Sequence, residues 1–163
     1  MRDCAYITML GRSLWALVNS YYAVLRERGI RPKEIRLLAE KPYEGDVSKA
    51  EGAIRVLSEE FGLNPSISHA IVGEGDFFGA GLEVKKLVTT FKSRGFEVAL
   101  DITPGRKALV AGSLLSLSNV DIDHVYYLKI KSLENSSRPY MMIPLNYQEL
   151  SDFVADRKGR GDR

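Results

Sequence analysis

The chain has 163 residues, one cysteine and a formal net charge of +2 at pH 7. This length predicts a single domain with a buried core. The small net charge excludes a global basic field, so a nucleotide site has to be a local patch, and we expect no direct DNA binding. The single cysteine excludes an intrachain disulfide. Because no long apolar run or signal peptide is present either, the sequence predicts a cytoplasmic protein without a membrane partner.

Strand-like and helix-like segments alternate along the chain. Six segments have the apolar composition of strands: 4–10, 34–40, 66–73, 96–102, 122–130 and 138–145. Four have helical spacing: 13–28, a helix capped by Asp46 or Ser48 and ending at Gly62, 82–94 and 107–118. The order predicts an α/β fold, a Rossmann-like, mostly parallel sheet with helices on both faces and an antiparallel edge strand.

The chain divides into a domain and a tail. Residues 1–150 are predicted to form the single domain, and residues 74–81, EGDFFGAG, a flexible glycine-rich loop within it. Residues 151–163 end in DRKGRGDR, and this charged composition predicts a disordered C-terminal tail.

Two loops are expected to meet where the strand order of the sheet reverses. In a Rossmann-like order this point lies between the first and fourth strands, and ligands bind there beyond the carboxyl ends. The loops are TMLGRS, Thr8–Ser13, and DITPGRK, Asp101–Lys107. Each contains a glycine, a hydroxyl and an arginine, and each opens a helix. Together they predict an anion site.

The second loop predicts the start of a helix in detail. Thr103 is a suitable N-cap and Pro104 suits the first helical position. Gly105 allows close approach to a ligand, and Arg106 and Lys107 then lie in the first turn. Cations there oppose the helix dipole unless an anion binds. The alternative for Arg106 and Lys107 is that both side chains extend into solvent. The alternative for Ser13 in the first loop is that it only caps its helix.

Other candidate groups are weaker. The first loop lacks a dinucleotide-binding glycine pattern, and two histidines with one cysteine have no zinc spacing, so we predict no cofactor and no metal site. Glu74 and Asp76 could bind a metal but are more typical of a solvated loop. Gly75 and Asp76 could line the crevice, and Phe77 or Phe78 could stack on a base, although a core aromatic is the ordinary interpretation.

The stretch DITPGRKALVAG resembles the signature of CARF domains, the CRISPR-associated Rossmann fold: Asp-x-Thr-Gly-Gly-x-Lys followed by a small-residue helix. TMLGRS resembles the Leu-Gly-x-Ser loop that follows the first strand of the same family. The resemblance covers residues 4 to 145. It departs from the family at Pro104, where the family usually has glycine.

The resemblance implies a ligand, cyclic oligoadenylate, the second messenger of type III CRISPR immunity, bound across a two-fold homodimer. It also implies a stand-alone ring nuclease, because the chain leaves no room for a fused effector domain. Lys107 and Ser13 would be catalytic, in a metal-independent attack of a ribose 2′-OH on its own phosphate. The residues expected to bind the ligand are Thr8, Leu10, Gly11, Arg12, Gly75, Asp76, Phe77, Thr103, Pro104, Gly105 and Arg106.

Two alternatives remain open at this point. The chain could bind the messenger as a sensor or regulatory subunit without cleaving it. It could also be an unrelated nucleotide-binding α/β protein. Ring size is not readable from the sequence, although a two-fold dimer suits an even ring such as cyclic tetraadenylate.

Overall fold

One six-stranded sheet organises the chain, seen in a computed structural model that describes residues 2–160. Its strands are β1 (Cys4–Leu10), β2 (Pro32–Glu40), β3 (Ser66–Val72), β4 (Glu97–Asp101), β5 (His124–Ile130) and β6 (Gln148–Asp152). The helices are α1 (Leu14–Ala23), α2 (Val47–Glu60), α3 (Phe77–Ser93), α4 (Lys107–Ser116) and α5 (Phe153–Arg160). The strand order is β3-β2-β1-β4-β5-β6. The first five strands are parallel and β6 is antiparallel, which confirms the predicted fold.

The sheet is covered on both faces. Every residue of β1 is buried, and its alternate side chains enter two separate cores. Tyr6 and Leu10 pack with α1 and α2, whereas Ile7 and Met9 pack with α3 and α4. Among the described residues, no helix combines the length and the apolar character needed to cross a membrane.

Helix α3 begins earlier than the sequence predicts. Asp76 accepts a hydrogen bond from the backbone N–H of Gly79 (2.8 Å), so it caps a helix that starts at Phe77. One glycine of the expected loop, Gly81, serves helix packing instead. A Cβ on Gly81 would lie 2.7 Å from the carbonyl oxygen of Gly112 in α4, so this pair of glycines lets the two helices approach closely.

The antiparallel edge strand also lies elsewhere than predicted. The segment 138–145 contains Pro139 and Pro144, which cannot donate to a ladder, and each precedes a short 3₁₀ turn. The strand is formed by Gln148–Asp152 instead. The expected domain boundary at residue 150 falls inside this strand.

The expected tail forms a helix over most of its length. Asp152 accepts hydrogen bonds from the backbone N–H groups of Val154 (3.1 Å) and Ala155 (3.4 Å), which starts α5 at Phe153. The sequence pattern missed this helix because its charged residues resemble those of a solvated tail. Residues 161–163 of the expected tail lie outside the described residues.

His124, the first residue of β5, links its strand to both neighbouring strands, β4 and β6. Its Nδ1 lies 2.7 Å from Oδ2 of Asp152 in β6, and its Nε2 lies 2.8 Å from Oε1 of Glu97 in β4. Burial lowers the pKa of His124, but the hydrogen bonds and charges of the two carboxylates outweigh it, so the pKa is raised above its ordinary value.

The raised pKa predicts that the protein loses stability as the pH rises. The protonated ring contributes fully below the unfolded-state pKa of about 6.5, and the contribution disappears as the pH passes the higher folded-state pKa. We expect His124→Gln to remove this part of the pH dependence in urea unfolding measured from mildly acidic to alkaline pH. His69→Gln, which keeps His124, should retain it. A wild-type minus His124→Gln difference that does not change with pH would contradict the assignment.

Candidate functional site

Three loops meet at the carboxyl edge of the sheet, where the strand order reverses between β1 and β4. They follow β1, β3 and β4. Their residues enclose a cavity of about 570 Å³ lined by Arg12, Gly75, Gly105, Arg106, Lys107 and Ala108. The structure thus brings together the cations of both predicted loops at the start of α4. A cavity of about 650 Å³ lies elsewhere, between the end of α4 and α5.

The two main loops touch through their glycines. A Cβ on Gly11 would collide with the backbone carbonyl oxygen of Pro104. A Cβ on Gly105 would collide with the sulfur of Met9 and lie 2.7 Å from Cγ2 of Val110. Because Pro104 is buried and its carbonyl belongs to the backbone, Gly11 has no room to accept a side chain without moving the loop.

The buried carboxyl group of Asp101 anchors the second loop. Its Oδ1 accepts a hydrogen bond from the backbone N–H of Thr103 (3.0 Å), and its Oδ2 accepts from the hydroxyls of Tyr6 (2.7 Å) and Ser20 (2.5 Å). Burial raises the pKa of Asp101 above its ordinary value, against these hydrogen bonds, which lower it. The loop is therefore tied to β1 and α1 before it reaches the cavity.

Thr103 does not cap α4, contrary to the sequence prediction. Its hydroxyl accepts a hydrogen bond from the backbone N–H of Leu128 (2.8 Å), because β4 has ended and leaves that group unpaired. Arg106 occupies the cap position and Lys107 is the first helical residue. Pro104 therefore lies before the helix and not in its first position.

Arg106 already has carboxylate neighbours. Its Nη1 lies 3.4 Å from each carboxylate oxygen of Glu40 and 3.6 Å from Glu74. The Glu40 side chain is fully buried and accepts a hydrogen bond from the backbone N–H of Gly75 (2.7 Å). Within residues 2–160, neither Arg12 nor Lys107 makes an ion pair. The interpretation that the cations await an anion therefore fits Arg12 and Lys107 better than Arg106.

Ser13 lines a second, smaller cavity of about 230 Å³ and not the cationic one. Its hydroxyl accepts a hydrogen bond from the backbone N–H of Ala16 (3.2 Å) and so caps α1. The hydroxyl proton is not used in this bond. Capping and a ligand contact are therefore compatible at Ser13.

Several other residues predicted to bind the ligand have side chains that are buried or that already make contacts within the protein. Thr8 is fully buried and its hydroxyl lies 3.4 Å from Asp101, and Leu10 packs in the core. Asp76 caps α3, and Phe77 is half-buried at the start of that helix. Gly75 has a φ of 65°, which favours glycine, and its backbone lines the cationic cavity.

Sequence reasoning missed the structural roles of two acids. Glu40 is the single acid that ends the apolar run LLAE, and nothing local in the sequence marks it as a buried residue. Its complete burial and its contact with Arg106 depend on the fold. Asp101 opens the signature stretch, but the three hydroxyls that surround it come from Tyr6, Thr8 and Ser20, which no local pattern connects to it.

The cysteine and His124, which are the other groups that could take part in chemistry, lie away from the cationic cavity. Burial raises the pKa of the Cys4 thiol to about 12, so it stays protonated near neutral pH. His124 lies beside Cys4 at the opposite edge of the sheet. Within the described part of the chain, no group of three or more His, Cys, Asp or Glu residues is arranged to hold a metal ion.

Comparison with solved structures identifies the fold. No family model and no curated protein matches the sequence. A type III CRISPR defence DNA nuclease activated by cyclic oligoadenylate superposes with a TM-score of 0.60 at 20% identity, over 80% of this chain and 19% of that one. The chain has a CARF fold.

Two further structures with this fold are similar. Can2 from Sulfobacillus thermosulfidooxidans, in complex with cyclic tetra-adenylate, gives a TM-score of 0.56 at 13% identity, over 76% of this chain and 31% of that one. Enterococcus italicus Csm6, bound to cyclic hexa-2′-fluoro-hexa-dAMP, gives 0.56 at 12% identity, over 98% of this chain and 43% of that one. The chain thus spans less than half the length of these CARF-fold proteins.

The contact between the loops after β1 and β4 predicts that Gly11 does not tolerate a side chain. Gly11→Ala should destabilise the protein by about 1–3 kcal/mol, because the added methyl group has to displace the Pro104 carbonyl. Gly52→Ala is the matched control, since Gly52 lies within α2 and its Cβ would meet nothing within 4 Å. There we expect a gain of about 0.5–1 kcal/mol from helix propensity. Urea unfolding measures both, and equal effects of the two substitutions would show that the loops are not in contact.

Proposed function

We propose that the chain binds a cyclic oligoadenylate, with cyclic tetraadenylate as the ring, across a homodimer and cleaves it without a metal ion. The observation that carries the proposal is the cationic cavity formed by two glycine-bearing loops at the strand-order reversal of a CARF fold. Similar structures include one in complex with cyclic tetra-adenylate and one nuclease activated by cyclic oligoadenylate.

The cavity has the electrostatics that a phosphate requires. The backbone N–H groups at the start of α4 carry partial positive charge, and Lys107 adds a full charge at the first helical position. Arg12 contributes a second charge from the other loop. A phosphate diester bound there turns the unfavourable interaction of Lys107 with the helix dipole into a favourable arrangement.

The proposed reaction is an internal transesterification. A ribose 2′-oxygen attacks the adjacent phosphorus in line, and the bond from phosphorus to the 5′-oxygen breaks. The products are a 2′,3′-cyclic phosphate and a 5′-hydroxyl, and the proton of the 2′-OH ends on the departing 5′-oxygen. Such a reaction depends on positioning and on stabilising negative charge on the phosphate oxygens.

Lys107 and Ser13 have different roles in this proposal. Lys107 stabilises the charge that develops on the phosphate, and Arg106 and Arg12 hold the neighbouring phosphates. Ser13 orients the ribose from the adjoining small cavity. The loops after β1 and β4 each border both cavities, so in this proposal one nucleotide places its phosphate against Lys107 and its sugar against Ser13.

Binding without cleavage is the second candidate function. It is favoured by the position of Ser13, which caps α1 and lines a different cavity from Lys107. A sensor or regulatory subunit needs only the phosphate contacts. The two functions differ in whether the bound ring is opened.

An exposed apolar patch supports a homodimer. Phe78 and Leu82 on α3 and Leu115 on the neighbouring α4 are 79%, 70% and 64% exposed. Phe78 and Leu82 are four residues apart and so share a helix face. Apolar side chains of this size, when grouped on adjacent helices, are typical of an interaction surface. A two-fold interface there brings two copies of the site to one ring.

The proposed roles predict that two cation substitutions act on different quantities. Lys107→Ala should slow single-turnover opening of cyclic tetraadenylate by about a hundredfold to a thousandfold with a smaller effect on affinity. Arg106→Ala should weaken binding by about tenfold to a hundredfold, and more at low than at high salt. Cleavage is measured by chromatography of labelled ring with enzyme in excess and in EDTA, and affinity by calorimetry.

Lys49→Ala is the control, because Lys49 is an exposed cation on α2 away from the cavity. It should leave both rate and affinity near the wild-type values. If the wild type binds the ring tightly but leaves it intact over hours, binding without cleavage replaces the ring-nuclease proposal. Cleavage that survives Lys107→Ala would place the chemistry on other residues.

The apolar patch predicts how the dimer is broken. Leu82→Asp places a charge in the proposed interface and should convert dimer to monomer in analytical ultracentrifugation at micromolar concentration. Val56→Asp changes a similarly exposed apolar residue on α2, outside the patch, and should leave the dimer intact. A wild-type monomer well above micromolar concentration would contradict the two-fold model of ring binding.

A further inference from the structure

The small cavity beside Ser13 has no charged residue in its lining. It holds about 230 Å³ between α1, the end of β5 and the segment that follows. Its walls combine apolar groups with hydroxyls and include Ser13, Ala16, Thr103, Leu128, Ile130 and Ser136. This volume is below the about 300–1,000 Å³ of sites for whole small-molecule ligands. The cavity therefore suits one uncharged ring and not a phosphate.

Strand β5 extends beyond its neighbour at this point. The pairing between β4 and β5 ends at Asp101 opposite Tyr126, and Ile102 adds one hydrogen bond to the carbonyl of Tyr126 (3.0 Å). Strand β5 continues to Ile130. On the side that β4 has vacated, the backbone N–H of Leu128 is satisfied by the hydroxyl of Thr103.

The next two backbone groups on that side are the carbonyl of Leu128 and the N–H of Ile130. Successive residues of a strand direct their N–H and C=O groups to alternate sides. The N–H of Lys131 donates to Tyr147, on the β6 side, so the even-numbered residues of β5 face away from β6. Among the hydrogen bonds of the described residues, none engages the Leu128 carbonyl or the Ile130 N–H from a partner on the vacated side.

We infer that this cavity binds an adenine base, with the Leu128 carbonyl accepting a hydrogen bond from the N6 amino group and the Ile130 N–H donating to the ring nitrogen beside it. The inference rests on the proposed function and names the part of the site that selects the base. One edge of adenine presents an N6 donor next to the N7 acceptor, which complements an adjacent carbonyl and N–H. The same edge of guanine presents two acceptors, and its O6 would face the Leu128 carbonyl.

The position of the cavity agrees with this assignment. Ser13 and Thr103 line it, and the residues adjoining them in the same two loops line the cationic cavity. A nucleotide whose phosphate lies against Lys107 therefore has its base within the reach of β5. The backbone reads the base, so no side-chain motif in the sequence marks the subsite.

The test compares cyclic tetraadenylate with cyclic tetrainosinate, in which an oxygen replaces each N6 amino group. We expect the wild type to bind the inosine ring about tenfold to a hundredfold more weakly. Ala16→Leu fills the cavity and should weaken binding of the adenine ring and abolish the preference between the rings. Ala53→Leu, at a similarly half-buried alanine of α2, should retain both. Calorimetry measures the affinities, and urea unfolding checks that the variants fold.

Ile130→Pro provides a second variant that removes only the proposed donor from the backbone, since this N–H is not part of the β6 ladder. It should weaken binding of both rings and keep the preference for adenine, because both bases present the N7 acceptor and differ on this edge at position 6, which faces the Leu128 carbonyl. Equal binding of the two rings by the wild type would overturn the subsite and leave the proposed function standing. A preference that survives Ala16→Leu, or unchanged binding of both rings by Ile130→Pro, would place base recognition elsewhere. Failure of the wild type to bind either ring would overturn the proposed function and the subsite together.

Discussion

The buried carboxyl group of Asp101 is the interaction on which the site depends. It lies at the last residue of β4 and accepts hydrogen bonds from β1, α1 and the backbone of Thr103. A fully buried carboxylate is costly unless its oxygens are satisfied, and here both oxygens have partners. The network therefore fixes the start of the loop after β4, in which the Pro104 carbonyl lies in close contact with Gly11.

The early end of β4 creates two different environments from one loop. On one side, the loop leads into the N-terminus of α4, where Arg106 and Lys107 meet Arg12 in a cationic cavity. On the other side, the end of β5 has β6 as its partner but no strand on the side that β4 has left, and a neutral cavity opens there. A phosphate and a base require these two environments next to each other, which is why a nucleotide ligand suits this part of the fold.

Glu40 sets the charge balance of the cationic cavity. It is fully buried, it holds the loop after β3 through Gly75, and it lies beside Arg106. The Glu40 carboxylate is fully buried and the Arg106 side chain is 30% exposed, and the attraction between the two charges holds Arg106 in place even without a ligand. A phosphate at Arg106 then adds to this pair instead of ordering a free side chain. The net contribution of Arg106 to affinity is therefore its attraction to the phosphate minus whatever part of its attraction to Glu40 is lost on binding. Among the described residues, no carboxylate forms an ion pair with Lys107, so Lys107 has no such loss.

Local sequence patterns predicted the order of the first five strands and of the four helices between them, and the two loops that follow β1 and β4. The Rossmann-like strand order expected from that alternation placed the reversal between these two strands. Hydrophobic periodicity and the positions of glycine and proline are local signals. Of the two roles that the sequence left open for Ser13, the structure shows the capping of α1. The position of the edge strand, the helix in place of the expected tail, the partner of Thr103 and the burial of Glu40 depend on tertiary packing. Thr103 and Leu128 are 25 positions apart, and Arg106 and Glu40 are 66 apart. Polar groups at such separations find partners only after the chain has packed, because each buried donor or acceptor is satisfied by whatever group the fold brings within reach.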